Sequence, residues 1–516
     1  MVAEGGGVKE RTYKALFLFA GLGGGALGFQ RARSAFRGIG GRFETVGAVD
    51  FDAAAARDFE RLTGHPCAVG DLSTMTPGEL RAVCGGQAPD VLFTSPPCKS
   101  FSGCLPSATA CTPKYQEMAD LAVRGLFLTL EAFPEHPPRL VLLENVPRIQ
   151  NRGRHLLDIL VGMLRSYGYA TRETVHDCGE LGGLAQRRRR FLLVARHVET
   201  TGDWWREPPK QRVRGVGEVL GELPIPLPGS ADGGPMHRLP RLSAMNWLRL
   251  ALIPAGGDWR NLPDAVRLEP RAGRQNGGYG VESWTDPGHA VLGEGSVRNT
   301  RASVADPRMG CEPRNTVLGV VSGDQPAGTV LGSAKHDNGA FSVADPRVEC
   351  RRNEGGHGVL SWSQPSYPVI GHPSIHNWPA AVADPREHGL EVGHVVQTQD
   401  GPIVVGVELD LSNDRPLDRP PILIAADGTW HRPMTTLELA ALQSLPTRIG
   451  GEWLVLDGAR QAGHRERIGN AVPVDTAEAV ATTALSVLLS SDAGVVTLGG
   501  EAVWVEDQRD GTEASA

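Results

Sequence analysis

LFLFAGLGGGALGF, Leu16 to Phe29, is the stretch on which the fold turns. An apolar run of strand length enters a glycine turn and leaves it as a helical stretch. Glycines let a ligand approach the backbone closely, and the N-terminus of the helix that follows carries partial positive charge. Outward from this point, short apolar runs alternate with helical stretches as far as His197: ETVGAVD, DVLFTS, RLVLLENV and RFLLVA follow in order. Strands separated by helices predict an α/β domain on a mostly parallel sheet over residues 14–197. From 198 to 430 the texture changes to Gly- and Pro-rich segments with short β-like pieces, which reads as a second domain. Helical periodicity returns in TTLELAALQSLP and DTAEAVATTALSVLLSS, so residues 431–490 are expected to rejoin the first domain. Residues 1–13 and 507–516 are expected to be disordered.

Composition bounds the function. The 516 residues suffice for two to four domains with a sizeable core. Lys and Arg number 52 against 59 Asp and Glu, a formal charge of −7, which excludes a protein that coats polyanions by bulk charge. Any contact with nucleic acid must be local and carried by arginine, since lysine stands only at Lys9, Lys14, Lys99, Lys114, Lys210 and Lys335. The eight cysteines include no CxxC pair and no apolar leader precedes them, a pattern that suits a reduced cytoplasm. Apolar runs are broken well short of about 18 residues, so no membrane span is expected. Cys98, Cys104 and Cys111 lie close together but lack zinc spacing and a supporting His, and no metal site is read from them.

The middle region repeats itself. SWTDPGHAVLG, SGDQPAGTVLG and SWSQPSYPVIG place prolines at Pro287, Pro326 and Pro365, and each is followed by VADPR with its aspartate at Asp306, Asp345 or Asp384. Both series step by 39, which implies one strand-and-turn unit used three times. Duplicated structural hairpins are favoured over three separate binding sites.

Five segments carry the chemistry. The second strand ends in Asp50, placed where a nucleotide ribose needs an acceptor, and VGDLS adds Asp71. That spacing alone admits NAD as well as S-adenosylmethionine. DVLFTSPPCKSFSG then sets Cys98 just past the carboxyl end of a strand, behind two prolines that fix the backbone, where a thiol can act as a nucleophile. RLVLLENVPRI ends its strand in Glu144 and Asn145, a carboxylate and an amide able to bind a heterocycle edge or to move a proton. LAQRRRRFLLVA puts four arginines before another strand, at least part of them turned toward an anionic ligand.

In this order the pieces resemble the cytosine-5 DNA methyltransferase family. The likeness covers 15–197 and 430–486: FAGLGGG resembles the cofactor loop, PPCKSFSG the catalytic loop, ENV the cytosine-binding strand and QRRRR the QxRxR element, while RPMTTLELAALQSLP and RIGNAVPV resemble the two C-terminal motifs. The resemblance implies a Rossmann-like, S-adenosylmethionine-dependent methyltransferase domain, with residues 198–430 as an inserted, loop-rich target recognition domain. Cys98 would attack C6 of a flipped cytosine, Glu144 would hold or protonate N3, and Arg188 and Arg190 would contact the cytosine and its surroundings. Phe19, Gly21, Leu22 and Gly24 would form the cofactor loop, Asp50 would take the ribose, Phe51 would stack on adenine, and Asp71 with Leu72 would meet its edge. Asn470 and Val472 would close the pocket. Pro97 would line both pockets, with Asn145 and Lys99 on the substrate side. Arg432, Glu438 and Gln443 would support the recognition domain.

Double-stranded DNA is the partner implied, together with a cognate restriction endonuclease, for a cytoplasmic monomer without metal. Methylation of tRNA, as in one branch of the family, is the alternative, and a non-catalytic relative is excluded by the presence of Cys98, Glu144 and the glycine loop. The long insertion favours DNA. Three positions depart from the family: Lys99 stands for the usual Gln, Asp50 for Glu, and Ala185 for Pro. Arg238, Arg241, Arg271, Arg274, Arg298 and Arg301 could read guanine or clamp phosphate, and the target sequence is not written in them.

Overall fold

Strand β1 (Lys9–Leu18) lies inside an eight-stranded mixed sheet. The structure, a computed structural model, describes residues 9–97, 113–202, 205–252, 409–412, 415–424 and 430–497, with short stretches between 262 and 407 and at 504–505. Around β1 run α1 (Gly24–Arg31), β2 (Ser34–Phe36), β3 (Ile39–Asp50), α2 (Ala53–Thr63), β4 (Ala68–Val69), α3 (Pro77–Val83), β5 (Val91–Thr94), α4 (Pro113–Ala132), β6 (Leu140–Asn145), α5 (Ile149–Arg152), α6 (Arg154–Ser166), β7 (Tyr169–Asp177), α7 (Cys178–Gly182) and β8 (Arg189–His197). The sheet order is β2-β3-β1-β5-β6-β8-β7, with β4 also on β3. β1 pairs in parallel with β3 and β5, and β5 with β6. The chain winds to one side of β1 through β3 and to the other through β5, so a crevice opens beyond the carboxyl ends of these strands.

Two expectations change here. β8 runs antiparallel to both β6 and β7, which makes the sheet mixed rather than mostly parallel, although Rossmann-like in its parallel centre. Residues Lys9 to Tyr13, expected outside the domain, pair with Ile39 to Phe43 and extend β1 at its start. Tyr13 is buried and its hydroxyl donates to Asp492 Oδ2 at 2.7 Å, which ties this end of the strand to the returning chain.

Alternation along the strands builds two cores. Leu16, Leu18, Leu92, Val141 and Leu143 face a cluster with Leu126 and Leu130 of α4 and Leu157 and Leu160 of α6. Phe17, Phe93, Leu140 and Leu142 face the opposite side with Phe29 of α1.

After β8 comes α8 (Val216–Leu220), and the chain then divides into two units, with residues up to Arg238 and from Met434 in one. The described residues of the second unit include α9 (Ala244–Leu252), β9 (Val281–Glu282), β10 (Ser303–Val304), β11 (Val320–Ser322), β12 (Ser342–Asp345), β13 (Val392–Thr398), β14 (Gly401–Val405), β15 (Ile422–Ile424) and β16 (Trp430–Pro433). Its core joins Trp247, Leu248 and Leu250 of α9 to Leu423 of β15. β9 pairs with β10 in parallel, Val281 opposite the Ser303 register, and β11 pairs with β12 in parallel, Val320 opposite Ser342, so the two pairs are offset by 39 residues. Pro287, Pro326, Pro365, Asp306 and Asp384 of the repeats lie outside the described residues, as do Arg271, Arg274, Arg298 and Arg301.

The first unit resumes with α10 (Thr436–Leu442), α11 (Gln461–Asn470) and α12 (Val474–Asp492). Ala477, Ala481, Leu485 and Leu488 of α12 join the cluster of Phe17 and Phe29, and the fully buried Leu485 and Leu488 contribute ~1.5–3 kcal/mol each. Among the described residues, Gln461–Asp492 is apolar and long enough to cross a membrane, contrary to the expectation of no such run. It is broken into α11 and α12 by Ala471 to Pro473, and 61% of its apolar window is buried in the protein, so its apolar character serves packing.

Candidate active site

The glycine turn after β1 is held by the acid at the end of β3. Gly21 N–H donates to Asp50 Oδ2 at 2.7 Å, and Asp52 N–H donates to Oδ1 at 2.9 Å. Asp50 thus shapes the turn itself. Burial pushes its pKa up, against the backbone hydrogen bonds that pull it down. Phe19 (φ 53) and Gly21 (φ 55) both adopt left-handed backbone, and a side chain on Gly21 would meet nothing within 4 Å. Open space at Gly21 faces a turn that a packing role would have filled. Gly24 answers to a different demand, because a Cβ there would collide with the carbonyl oxygen of Val472.

Phe51, just past β3, is 77% exposed, a large aromatic left free to stack. Asp71 Oδ1 accepts from Ser73 N–H at 2.9 Å, and its hydrogen bonds with Ser73 hold this carboxyl below the usual range. Leu22 and Leu72 are both buried, so their side chains belong to the packing behind the turns. An open glycine turn, an exposed ring and two acids at neighbouring strand ends fit an adenosine-containing cofactor.

The chemistry-bearing strand end is β6. Arg190 Nε lies 2.9 Å from Glu144 Oε1, with 12% and 14% of the two side chains exposed. The antiparallel register sets Glu144 opposite Leu192, so Arg190, two residues away on β8, lies on the same face and reaches Glu144 diagonally. The neighbouring Asn145 is buried and donates from Nδ2 to the Pro96 carbonyl at 3.2 Å, while Ser95 Oγ donates to the Phe19 carbonyl at 3.2 Å. Strand β6 through Asn145 and the glycine turn through Phe19 therefore both anchor the approach to Pro97. Cys98 and Lys99 lie outside the described residues.

Arg188 departs from expectation. Its side chain is buried, and Nη2 donates to the carbonyls of Gly469 at 3.0 Å and Ala471 at 3.2 Å, so it holds the protein's own backbone. Asn470, between those two carbonyls, is exposed, and Val472 is buried. Gln443 was expected to support the recognition domain, but its Nε2 donates to the Ile468 carbonyl at 2.9 Å and its Oε1 accepts from Gln186 Nε2 at 2.7 Å. Glu438 closes a capping box with Thr435 at the start of α10. Arg432, fully buried in the second unit, lies over the ring of Trp430. Among the described residues no group of three or more His, Cys, Asp or Glu is arranged to hold a metal.

His176 was not singled out in the sequence, and pairs opposite Arg190 in the β7–β8 register. Burial, and then the Arg190 charge, lower its pKa to about 4, opposed by Asp177. A histidine free in an unfolded chain titrates near ~6.5, so protons bind the unfolded state preferentially between these values. The stabilisation is therefore present above about pH 6.5 and is lost as the pH falls toward 4. Thermal unfolding at pH 7.5 and pH 5 should show a smaller acid-induced drop in His176→Gln than in the parent; equal drops would refute the assignment.

Residues 13–214 match the family described as C-5 cytosine-specific DNA methylase. The Type II methylase M.HgiDII of Herpetosiphon aurantiacus is 24% identical over 259 residues, which covers 48% of this chain and 69% of that protein. The Type II methyltransferase M1.HphI of Haemophilus parahaemolyticus is 25% identical over 257 residues, covering 48% and 63%. A crystal structure of a putative DNA modification methyltransferase encoded within an E. coli prophage aligns over 92% of this chain and 99% of its own, with 15% identity and a TM-score of 0.45.

Proposed function

The chain carries the domain of a DNA cytosine-5 methyltransferase over residues 13–214, and from that premise we propose that it methylates C5 of a cytosine flipped out of a specific duplex DNA sequence. S-adenosylmethionine, when bound, supplies the electrophilic methyl group. Gly21, Asp50, Phe51, Asp71, Pro97, Asn470 and Val472 are the residues proposed to hold it, with the turn of Phe19, Leu22 and Gly24 beneath. The thiolate of Cys98 adds to C6 of the cytosine, which makes C5 nucleophilic. Glu144 holds a proton at N3 so that charge in the ring is neutralised, and after methylation a base removes the C5 proton and Cys98 departs from C6. Lys99 and Asn145 flank the base.

The observation that carries this reading is the Arg190–Glu144 pair. Its Oε1 is engaged by Arg190 at 2.9 Å, and Oε2 is the oxygen proposed for the base. The contact is an ion pair without a hydrogen bond at Oε1, and it sets a cation beside the carboxylate at the end of β6, next to the amide that holds Pro96. Residues 198–430 are proposed as the target recognition domain, most of them in the second compact unit, Leu239–Ser322 with His336–Pro433. Because the relatives named above are type II enzymes, a cognate restriction endonuclease is the proposed functional partner of a cytoplasmic monomer.

Transfer of labelled methyl groups to duplex DNA and to tRNA tests the substrate, with incorporation expected in DNA. Incorporation confined to tRNA would overturn the reading. Bisulfite sequencing of host DNA after expression would then give the sequence context of every modified cytosine.

A further inference from the structure

Helix α11 ends without a glycine cap. Of its C-terminal carbonyls, that of Ile468 accepts from the Ala471 N–H at 3.2 Å, and the buried ones beyond it must find partners elsewhere. Gln443 Nε2 takes the carbonyl of Ile468 at 2.9 Å, and Arg188 Nη2 takes those of Gly469 at 3.0 Å and Ala471 at 3.2 Å. A guanidinium at this end also complements the negative pole of the helix. Gln443 is fixed in turn, since Gln186 Nε2 donates both to its Oε1 at 2.7 Å and to the Leu442 carbonyl at 2.6 Å. Gln186, Arg188 and Gln443 are all buried, so each amide has one usable polarity: Gln443 must accept with its oxygen and donate with its nitrogen.

The clamped carbonyls bracket Asn470, and Val472 follows at once with its carbonyl oxygen against Gly24 of the glycine turn. We infer that Gln186, Arg188 and Gln443 are positioning residues that set the segment Gly469 to Val472 as the wall of the cofactor pocket. The inference rests on the proposed function, in that the pocket is taken to receive S-adenosylmethionine.

The test is calorimetric binding of S-adenosylmethionine to the full chain without DNA. Gln443→Glu keeps the acceptor for Gln186 but turns an oxygen toward the Ile468 carbonyl, and Gln443→Met removes both bonds at similar volume. Both are expected to weaken binding at least about tenfold. Thr435→Ala, which removes the N-cap of α10, the helix that Gln443 follows, lowers the melting temperature and should leave the dissociation constant within about twofold. Unchanged binding in the Gln443 variants, or equal weakening in Thr435→Ala, would show a role in stability alone and overturn the inference. Loss of folding in both Gln443 variants would overturn it too. Failure of the parent chain to bind would instead bring down the proposed function, and the clamp's role with it.

Discussion

Cys98→Ala is expected to lower methyl transfer by on the order of 10⁵-fold, the loss typical of removing a nucleophile that forms the covalent intermediate. C5 of cytosine does not react with a methyl donor unless the ring is first activated, and in the proposed mechanism the adduct of the Cys98 thiolate at C6 supplies the electrons. Ser95 and Asn145 hold the backbone that leads to Cys98 through the Phe19 and Pro96 carbonyls, so the substitution should leave that approach in place. Cofactor binding should survive in the variant. A duplex in which 5-fluorocytosine replaces the target offers a second readout: fluorine cannot leave as a proton does, so the adduct persists, and denaturing gels should show it for the parent and not for Cys98→Ala. Activity within tenfold of the parent would sink the covalent mechanism.

Glu144→Gln should reduce kcat by about 10²–10⁴-fold, the usual worth of a positioned acid or base. The substitution keeps the shape of the side chain but removes its charge, and it leaves the largely buried Arg190 guanidinium without its carboxylate. Two costs therefore fall on one change: the proton at N3 loses its holder, and Arg190 loses the group that orients it. Adding Arg190→Gln to Glu144→Gln should then cost much less than Arg190→Gln alone, because residues in contact are not independent. Single-turnover rates for the two single variants and the double variant measure this coupling. Additive losses would mean that Arg190 and Glu144 act separately, and a kcat within threefold of the parent for Glu144→Gln would remove Glu144 from the mechanism.

The four arginines of QRRRR show what could be read in advance. As a run, they look equivalent. The fold separates them: Arg187 and Arg189 are exposed, Arg188 is buried, and Arg190, in β8, lies between with its side chain turned to Glu144. Arg187 meets the acids Asp177 and Glu180 at 3.5 and 3.9 Å on the surface. Their common sign hid four different surroundings. Strand β7 escaped notice for a related reason. YATRETVHD is only partly buried at the edge of the sheet, and its polar residues weaken the apolar signal by which the inner strands announce themselves.

Short-range patterns in the sequence by themselves determined the α/β class, the glycine turn after the first strand, and the strand ends that carry Asp50 and Glu144. Each depends on neighbours within a few residues, where steric rules and periodicity act directly. Tertiary structure alone decided that the sheet is mixed, that Arg188 grips the backbone of Gly469 and Ala471, and that Gln186 meets Gln443 across 257 positions of sequence. A buried polar side chain takes whichever unpaired carbonyl the fold brings within about 3 Å, and no local pattern records which one that is.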